Sequence, residues 1–352
     1  MKLIAVLVGA LVLGFGGFLT FLSITEYRPE PIEQAVVFGA APRLIEDGVP
    51  LTIVSWNIGY GSLDASMDFF MDGGKTVRPA TDANVKTNMK GIRDFIGHIG
   101  ADLVLLQEVD IHSHRSYYMD EAAFLAETWN GMTAFAPNFQ TAFVPIPLPK
   151  PIGQVKSGLF TMSLFTAKET LRMSLPSPFK WPVRLANLKR CLLTERLPVS
   201  NSDKELILVN LHLEAYSSAE GRNAQMQVLL DFLKAEYAKG NYCIAGGDFN
   251  QNFPGIDESV FPLKDTRHFT PGFLSQNMLP EGWRFVTDTE IPSSRLLNEP
   301  YSGDREATQL YVIDGFVLSP NVEVLSVQTA DQEFRYSDHN PVILKAVLRG
   351  KK

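Results

Sequence analysis

The sequence predicts an α/β sandwich, with two mixed β-sheets packed face to face and helices outside. Three observations predict it. Short apolar, β-branched runs outnumber helical patterns. Nearly all of these runs end in a polar or charged residue. Hairpin-like neighbours mix with helical crossovers, which suits mixed sheets better than a purely parallel one.

The elements follow in order. Leu3 to Ile24 is a run of 22 residues without a charge, preceded only by Met1 and Lys2. As a helix it covers roughly 33 Å, enough for a bilayer core. No A-x-A-like cleavage site and no lipoprotein cysteine follow it, so an uncleaved anchor is favoured, with a cleaved signal as the alternative. Lys2 places the short N-tail inside and the bulk of the chain outside the cytoplasm. Residues 1–26 read as the anchor, 27–50 as a stiff linker and lead-in around Pro29 and Pro31, and 51–350 as one large domain. Within the last, Leu51–Ile58 reads as a strand. In Asp82–Ile99, Val85, Met89, Ile92, Ile96 and Ile99 recur at helical spacing. Asp102–Gln107 reads as a strand buried on both faces, and Glu121–Trp129 as a helix. Thr133–Phe143, Ser157–Phe165, Leu188–Leu197 and Glu205–Leu213 read as strands. Ala219–Ala238 is an amphipathic helix with Met226, Leu229, Leu230, Leu233 and Tyr237 on one side. Asn241–Gly246, Gln309–Leu318, Val322–Val327 and Val342–Leu348 complete the strands.

Composition narrows the function classes. Apolar residues make up 45% and charged residues 20% of 352, which excludes disorder, collagen and coiled coil. Two cysteines exclude a disulfide scaffold and a cysteine-rich zinc module. A net charge of −7 excludes a generally basic, nucleic-acid-coating surface. Between Phe143 and Leu193, however, eight cations stand against Glu169 alone, so that segment is +7 and the remainder −14. Loops 143–152 and 176–190 add alternating prolines, Phe179 and Trp181 to those cations. They are read either as rigid connectors or as a membrane contact, since Trp, Phe, Lys and Arg together suit a headgroup layer.

The strand ends carry the chemistry. Ile53–Trp56 ends at Asn57, Leu103–Leu106 at Gln107 and Glu108, and Leu206–Val209 at Asn210 and His212. Tyr242–Ala245 runs through two glycines to Asp248 and Asn250. Tyr311–Ile313 leads to Asp314, and Ser337-Asp338-His339-Asn340-Pro341 precedes the last strand. Any one of these has an ordinary explanation as a cap or turn. Six together are destabilising unless they meet in one polar cleft. Clustered Glu108, Asp248, Asp314 and Asp338 need a cation to offset their repulsion. All-oxygen ligands suit Mg²⁺ or Mn²⁺ rather than zinc.

These six motifs, in this order, resemble the endonuclease/exonuclease/phosphatase superfamily over about residues 51–348. The resemblance implies a four-layered α/β sandwich and a Mg²⁺- or Mn²⁺-dependent phosphoesterase. It implies that Glu108 is the principal metal ligand, with Asn57 and Asp338 nearby. Asp248 would orient or deprotonate water, and Asn250 would contact phosphate. His212 would contact phosphate or serve the leaving group, and His339 would pair with Asp314. Asn210, Arg115 and Arg190 are the expected substrate contacts. Two departures lower the expectation of a nuclease. Leu164 follows Ser163 where many relatives have arginine, and Asp110 stands where nuclease-type members have arginine. The partners expected are a phosphate-ester substrate, with a lipid headgroup favoured, and a membrane. Nucleic acid is expected only as an alternative substrate, and no protein partner follows from the sequence.

Overall fold

The computed structural model describes residues 1–216 and 219–349; the expected domain end at 350 lies outside them. Four helices, α1 (Lys2–Ile24), α2 (Asp82–Ile99), α3 (Glu121–Ala126) and α4 (Ala219–Ala238), accompany eighteen strands. These are β1 (Ile32–Gln34), β2 (Val36–Phe38), β3 (Leu51–Asn57), β4 (Leu103–Asp110), β5 (Met132–Val144), β6 (Gly153–Ser163), β7 (Glu169–Ser174), β8 (Cys191–Pro198) and β9 (Glu205–His212). They continue with β10 (Tyr242–Asp248), β11 (Gln251–Asn252), β12 (Gly272–Phe273), β13 (Arg284–Val286), β14 (Ser294–Arg295), β15 (Leu310–Tyr311), β16 (Asp314–Leu318), β17 (Val322–Thr329) and β18 (Val342–Leu348).

Two seven-stranded mixed sheets result, ordered β1-β7-β8-β9-β10-β16-β13 and β17-β18-β3-β4-β6-β5-β2. Successive side chains alternate between faces, so each strand serves two layers. Ile53, Leu105, Leu208, Ile244, Phe316 and Leu344 form the dry layer between the sheets. Their sequence neighbours point outward. Val54, Trp56, Val104 and Leu106 pack under Val85, Met89 and Ile92 of α2. Ile207, Val209, Cys243 and Ala245 pack under Met226, Leu229 and Leu233 of α4. Helix, sheet, sheet and helix make the four expected layers.

Local differences have local causes. The run Gln309–Leu318 is two strands rather than one, because Leu310–Tyr311 turns away to pair with β14. Residues 27–50 are more than a linker. β1 pairs with β7 and β2 with β5, so one short stretch ties together the edges of both sheets. The cationic run is mostly neutralised. Arg184 and Lys189 pair with Glu26, Arg190 with Glu214, Lys168 with Glu205 and Arg172 with Glu33. Both cysteines are free and buried. α1 is long and apolar enough to cross a membrane, and its most apolar window is unburied by the rest of the chain.

Glu195 is an exception to the dry interior. It lies on β8 between Leu193 and Leu197, fully buried, and neither carboxyl oxygen has a hydrogen-bond partner among the described residues. Burial pushes its pKa up to about 8. An acid raised on folding costs stability as pH climbs from the unfolded value, about 4.3, towards the folded one, by at most about 1.4 kcal/mol per pH unit. Glu195→Gln therefore raises the melting temperature over wild type, with a gain that grows between pH 5 and pH 8. Thermal melts at the two pH values check this.

Candidate active site

The inner faces of the central strands change character at one end of the sandwich. Ile53 and Ser55 give way to Asn57, Leu103 and Leu105 to Gln107, and Leu206 and Leu208 to Asn210 and His212. On β10 the same face ends in Asp248, whose lateral neighbours are His212 on parallel β9 and Asp314 on antiparallel β16. The predicted polar strand ends therefore converge because their strands share one register.

Gly247 lets β10 make this approach. A Cβ there would lie 1.9 Å from the Leu211 carbonyl oxygen. Beyond it, the Asp248 carboxylate accepts a hydrogen bond from the Asn250 backbone N–H at 2.8 Å, and Asn250 Nδ2 donates to the Leu213 carbonyl at 2.9 Å. Asn57 Nδ2 lies 3.2 Å from Glu108 Oε1 and 3.1 Å from Asp248 Oδ2, holding the two carboxylates at a fixed spacing.

Glu108 reaches this position through a bulge. The β4–β6 register shifts between Leu106 and Val109, and Glu108 takes a left-handed φ of 56°. Such an extra residue breaks the ladder, and its neighbours' carbonyls need other partners. Asn210 supplies them from the opposite sheet. Its Nδ2 donates to the Leu106 and Phe160 carbonyls at 3.0 and 3.1 Å, and its Oδ1 accepts from Gln107 Nε2 at 2.8 Å. Asn210 is fully buried and spent on these bonds, so the expectation of a substrate contact is corrected to a positioning role.

The second half of the cluster is a histidine held by an aspartate. His339 Nδ1 lies 2.8 Å from Asp314 Oδ2, which also accepts from Ser293 Oγ at 2.7 Å. His339 Nε2 faces Asp248 and Asp338, each at 3.9 Å. Burial opposes the charge on His339, yet Asp314 and Asp338 outweigh it and push its pKa up to about 10. Burial, reinforced by the Asp314 charge, raises Asp248 to about 7. His212 Nε2 lies 3.4 Å from the same Asp248 oxygen. Burial first, then the nearby Arg190 charge, drives the His212 pKa well below its usual value, so it is a neutral ring.

Two cations predicted as substrate contacts are committed elsewhere. Arg115 makes a two-pronged bond to Asp110 at 3.0 and 3.1 Å and stacks on Tyr60. Arg190 pairs with Glu214 at 3.3 Å and donates to the His212 carbonyl at 3.0 Å. Both are buried and serve as braces. The Ser163 departure has no bearing on the cluster, because Ser163 pairs with Leu103 at the far end of β4. Residues that sequence reasoning missed are Ser293, Tyr216 and Asp72. Tyr216 donates to Asp72 at 3.1 Å, and both sense the charge of Glu108. They come from segments without periodicity, and the paired serines Ser293-Ser294 at the start of β14 were the only available signal.

The family profile described as Endonuclease/Exonuclease/phosphatase family matches residues 54–339. The chain belongs to this family. Its members are metal-dependent phosphoesterases and nucleases. The endonuclease/exonuclease/phosphatase protein of Beutenbergia cavernae DSM 12333 has a similar fold, with a TM-score of 0.57 at 17% identity, covering 85% of this chain and 72% of that one. The human Nocturnin catalytic domain with bound sulfate anion superposes with a TM-score of 0.51 at 15% identity, covering 90% and 97%. A functionally unknown conserved protein from Enterococcus faecalis V583 gives 0.52 at 17%, covering 85% and 100%. At these identities the likeness is one of fold. No curated sequence matches the chain.

The donor set fits the divalent cation that the family implies. Asn57 and Asp338 are buried, Glu108 is half-buried beside them, and Glu108 Oε2 accepts no hydrogen bond among the described residues. Asp248, Asp314 and His339 also have ligand atoms within 4.8 Å of one another. That trio is the poorer seat, because Asp314 Oδ2 is already engaged by His339 Nδ1 and Ser293 Oγ.

Asn210→Ala takes the Asn210 donor from the buried Leu106 and Phe160 carbonyls, while Gln107 Nε2 keeps its bond to the Leu105 carbonyl. At ~1–3 kcal/mol for each buried orphan, the loss of stability is at least ~2 kcal/mol, read in a denaturant titration.

Proposed function

We propose that the chain is a divalent-metal-dependent phosphoesterase, tethered to a membrane by α1 with its catalytic domain outside the cytoplasm. The reaction is hydrolysis of a phosphodiester or phosphomonoester, and a lipid headgroup is the favoured carrier of that ester. One observation carries the reading of the chemistry. At the polar end of the inter-sheet layer, Asn57 holds Glu108 and Asp248 together beside the Asp314–His339 pair.

Glu108, Asn57 and Asp338 would hold Mg²⁺ or Mn²⁺. When bound, such an ion withdraws charge from the non-bridging phosphate oxygens and helps neutralise the surrounding carboxylates. The remaining work falls to the chain's own groups. Asp248, near neutrality in its proton affinity, accepts a proton from the attacking water and fixes its direction. Asp314 holds the His339 ring with Nε2 facing the cluster, and the imidazolium donates to a phosphate oxygen. His212, neutral beside Asp248, keeps a hydrogen-bonding ring within reach of the leaving oxygen without adding charge. Asn250 keeps the turn after Asp248 closed through Leu213.

The first test is a hydrolysis screen of the purified chain with Mg²⁺ and with Mn²⁺ on sphingomyelin, phosphoinositides, nucleotides, DNA and RNA. Turnover of lipid esters supports the reading. Turnover of DNA or RNA alone moves the protein to the nuclease branch, and no turnover of any ester overturns the proposal. In the active assay, Asp248→Asn and His339→Ala each lower kcat by at least ~10²-fold, the lower range for a positioned acid–base group, with unchanged melting profiles.

Glu108→Gln is expected to lose most activity and to need more Mg²⁺ for what remains. A metal titration of the variant that superposes on wild type would exclude Glu108 as a ligand.

A further inference from the structure

The N-terminal helix and the candidate active site meet at the same end of the sandwich. The hairpin between β5 and β6 and the connection between β7 and β8 both leave their sheets at the end where Asp110 pairs with Ser157 and Leu192 with Leu211, next to Glu108 and His212. The last turns of α1 dock on those two segments. Phe18 packs edge-on against Phe143 with ring centroids 6.2 Å apart, and Leu22 is buried. Trp181 Nε1 lies 3.4 Å from Ser23 Oγ, and Glu26 just beyond the helix pairs with Arg184 and Lys189 at 3.2 Å. Lys189 is followed directly by Arg190, which donates to the His212 carbonyl. Two consecutive residues thus connect the foot of the helix to the catalytic cluster.

Helix length sets the depth of this contact. A hydrocarbon core of about 30 Å takes about 20 residues at 1.5 Å each, so a helix entering at Leu3 leaves the core near Leu22. Phe18 lies four residues earlier, roughly 6 Å inside that boundary. Phe143 touches Phe18, so the rim around it cannot stand clear of the lipid. Its composition suits that depth. Leu148 is 84% exposed and Trp181 55% exposed, and Ile146 and Val183 are exposed with them. Beside the hairpin tip, a groove of about 750 Å³ is lined by Lys75, Arg78 and Lys150 with Tyr118 and Phe143, and no acid lines it. In a chain of net charge −7 this lining is locally cationic, the charge that anionic headgroups attract.

We propose that the rim formed by residues 143–152 and 176–184 is a membrane-embedded face that sets the active-site mouth against the surface of the bilayer entered by α1. This rests on the reading of α1 as an anchor and deepens it. The enzyme would meet its phosphate ester at headgroup level, and the cations left unpaired near the rim, Lys150 and Lys180, would face anionic lipid.

Depth-dependent quenching tests the rim separately from the anchor. Cys191 and Cys243 are buried, so single introduced cysteines can carry an environment-sensitive fluorophore in the full chain. Leu148→Cys and Trp181→Cys report the rim, Leu11→Cys reports α1, and Ser202→Cys lies in the β8–β9 turn at the opposite end of the sandwich. The proteins are reconstituted into vesicles of phosphatidylcholine and phosphatidylserine containing spin-labelled lipids. The expected result is loss of fluorescence at 11, 148 and 181 but not at 202, with the rim probes about 5–10 Å into the headgroup/acyl boundary. Quenching at 11 with 148 and 181 as bright as 202 overturns the embedded rim and leaves the anchor intact. An unquenched probe at 11 removes the anchor, and the rim proposal with it.

Discussion

The structure depends on how the two sheets are joined where their dry interface ends. Leu105 and Leu208 are the last apolar residues of their inner faces, and Gln107 and Asn210 come next. Their mutual hydrogen bond crosses from sheet to sheet, and the remaining Asn210 bonds satisfy carbonyls beside the bulge in β4. A hydrophobic pair at this level would leave those carbonyls buried and unpaired, which costs more than a single hydrogen bond contributes. With Asn210 in place, the bulge holds Glu108 in its left-handed conformation and aims its carboxylate at Asn57.

This dependence explains what was legible in the sequence. Each strand's inner face runs from apolar to polar along its length, so Asn57, Glu108, His212, Asp248 and Asp314 could be read from period-2 patterning and strand ends. Their neighbours in sequence are the helix-facing residues, and α2 and α4 were legible separately, from apolar residues at helical spacing. What alternation cannot show is where a side chain goes once it leaves its strand. Asn210 looked like a second polar residue bound for the cleft. Its register one pair before His212 instead places it under the bulge. Arg115 was assigned to the substrate because a missing arginine suggested a substitute. The actual partner of Asp110 is Arg115 itself, so the two changes neutralise each other inside the fold.

Loops hid the rest. Ser293 orients Asp314 through one side-chain bond and two backbone bonds to its oxygen, yet it lies in a segment with no periodicity. Residues 27–50 carry two three-residue strands, too short for alternation to register, and these close one edge of the sandwich. The charge count misled for a related reason. It saw +7 between Phe143 and Leu193, but Glu26, Glu33, Glu205 and Glu214 arrive from distant positions to pair with most of it. What remains available to a membrane is a rim of exposed apolar tips with few free cations, which a composition count does not distinguish from a basic patch.

The cluster itself is costly to bury, and its layout shows how the cost is contained. Asp248 and Asp314 face each other across adjacent strands, and burial raises both Asp248 and Asp338 toward neutrality. The protonated His339 lies among all three aspartates and offsets part of their repulsion. Asn57 contributes hydrogen bonds without adding charge. Glu108 has no such compensation from a cationic side chain within ion-pair distance among the described residues, since Arg115 is committed to Asp110. The carboxylate left least neutralised by the protein is therefore the one on the bulge, beside two other oxygen donors. A divalent cation held there would supply the missing positive charge while leaving His339 free to meet the phosphate from the other side.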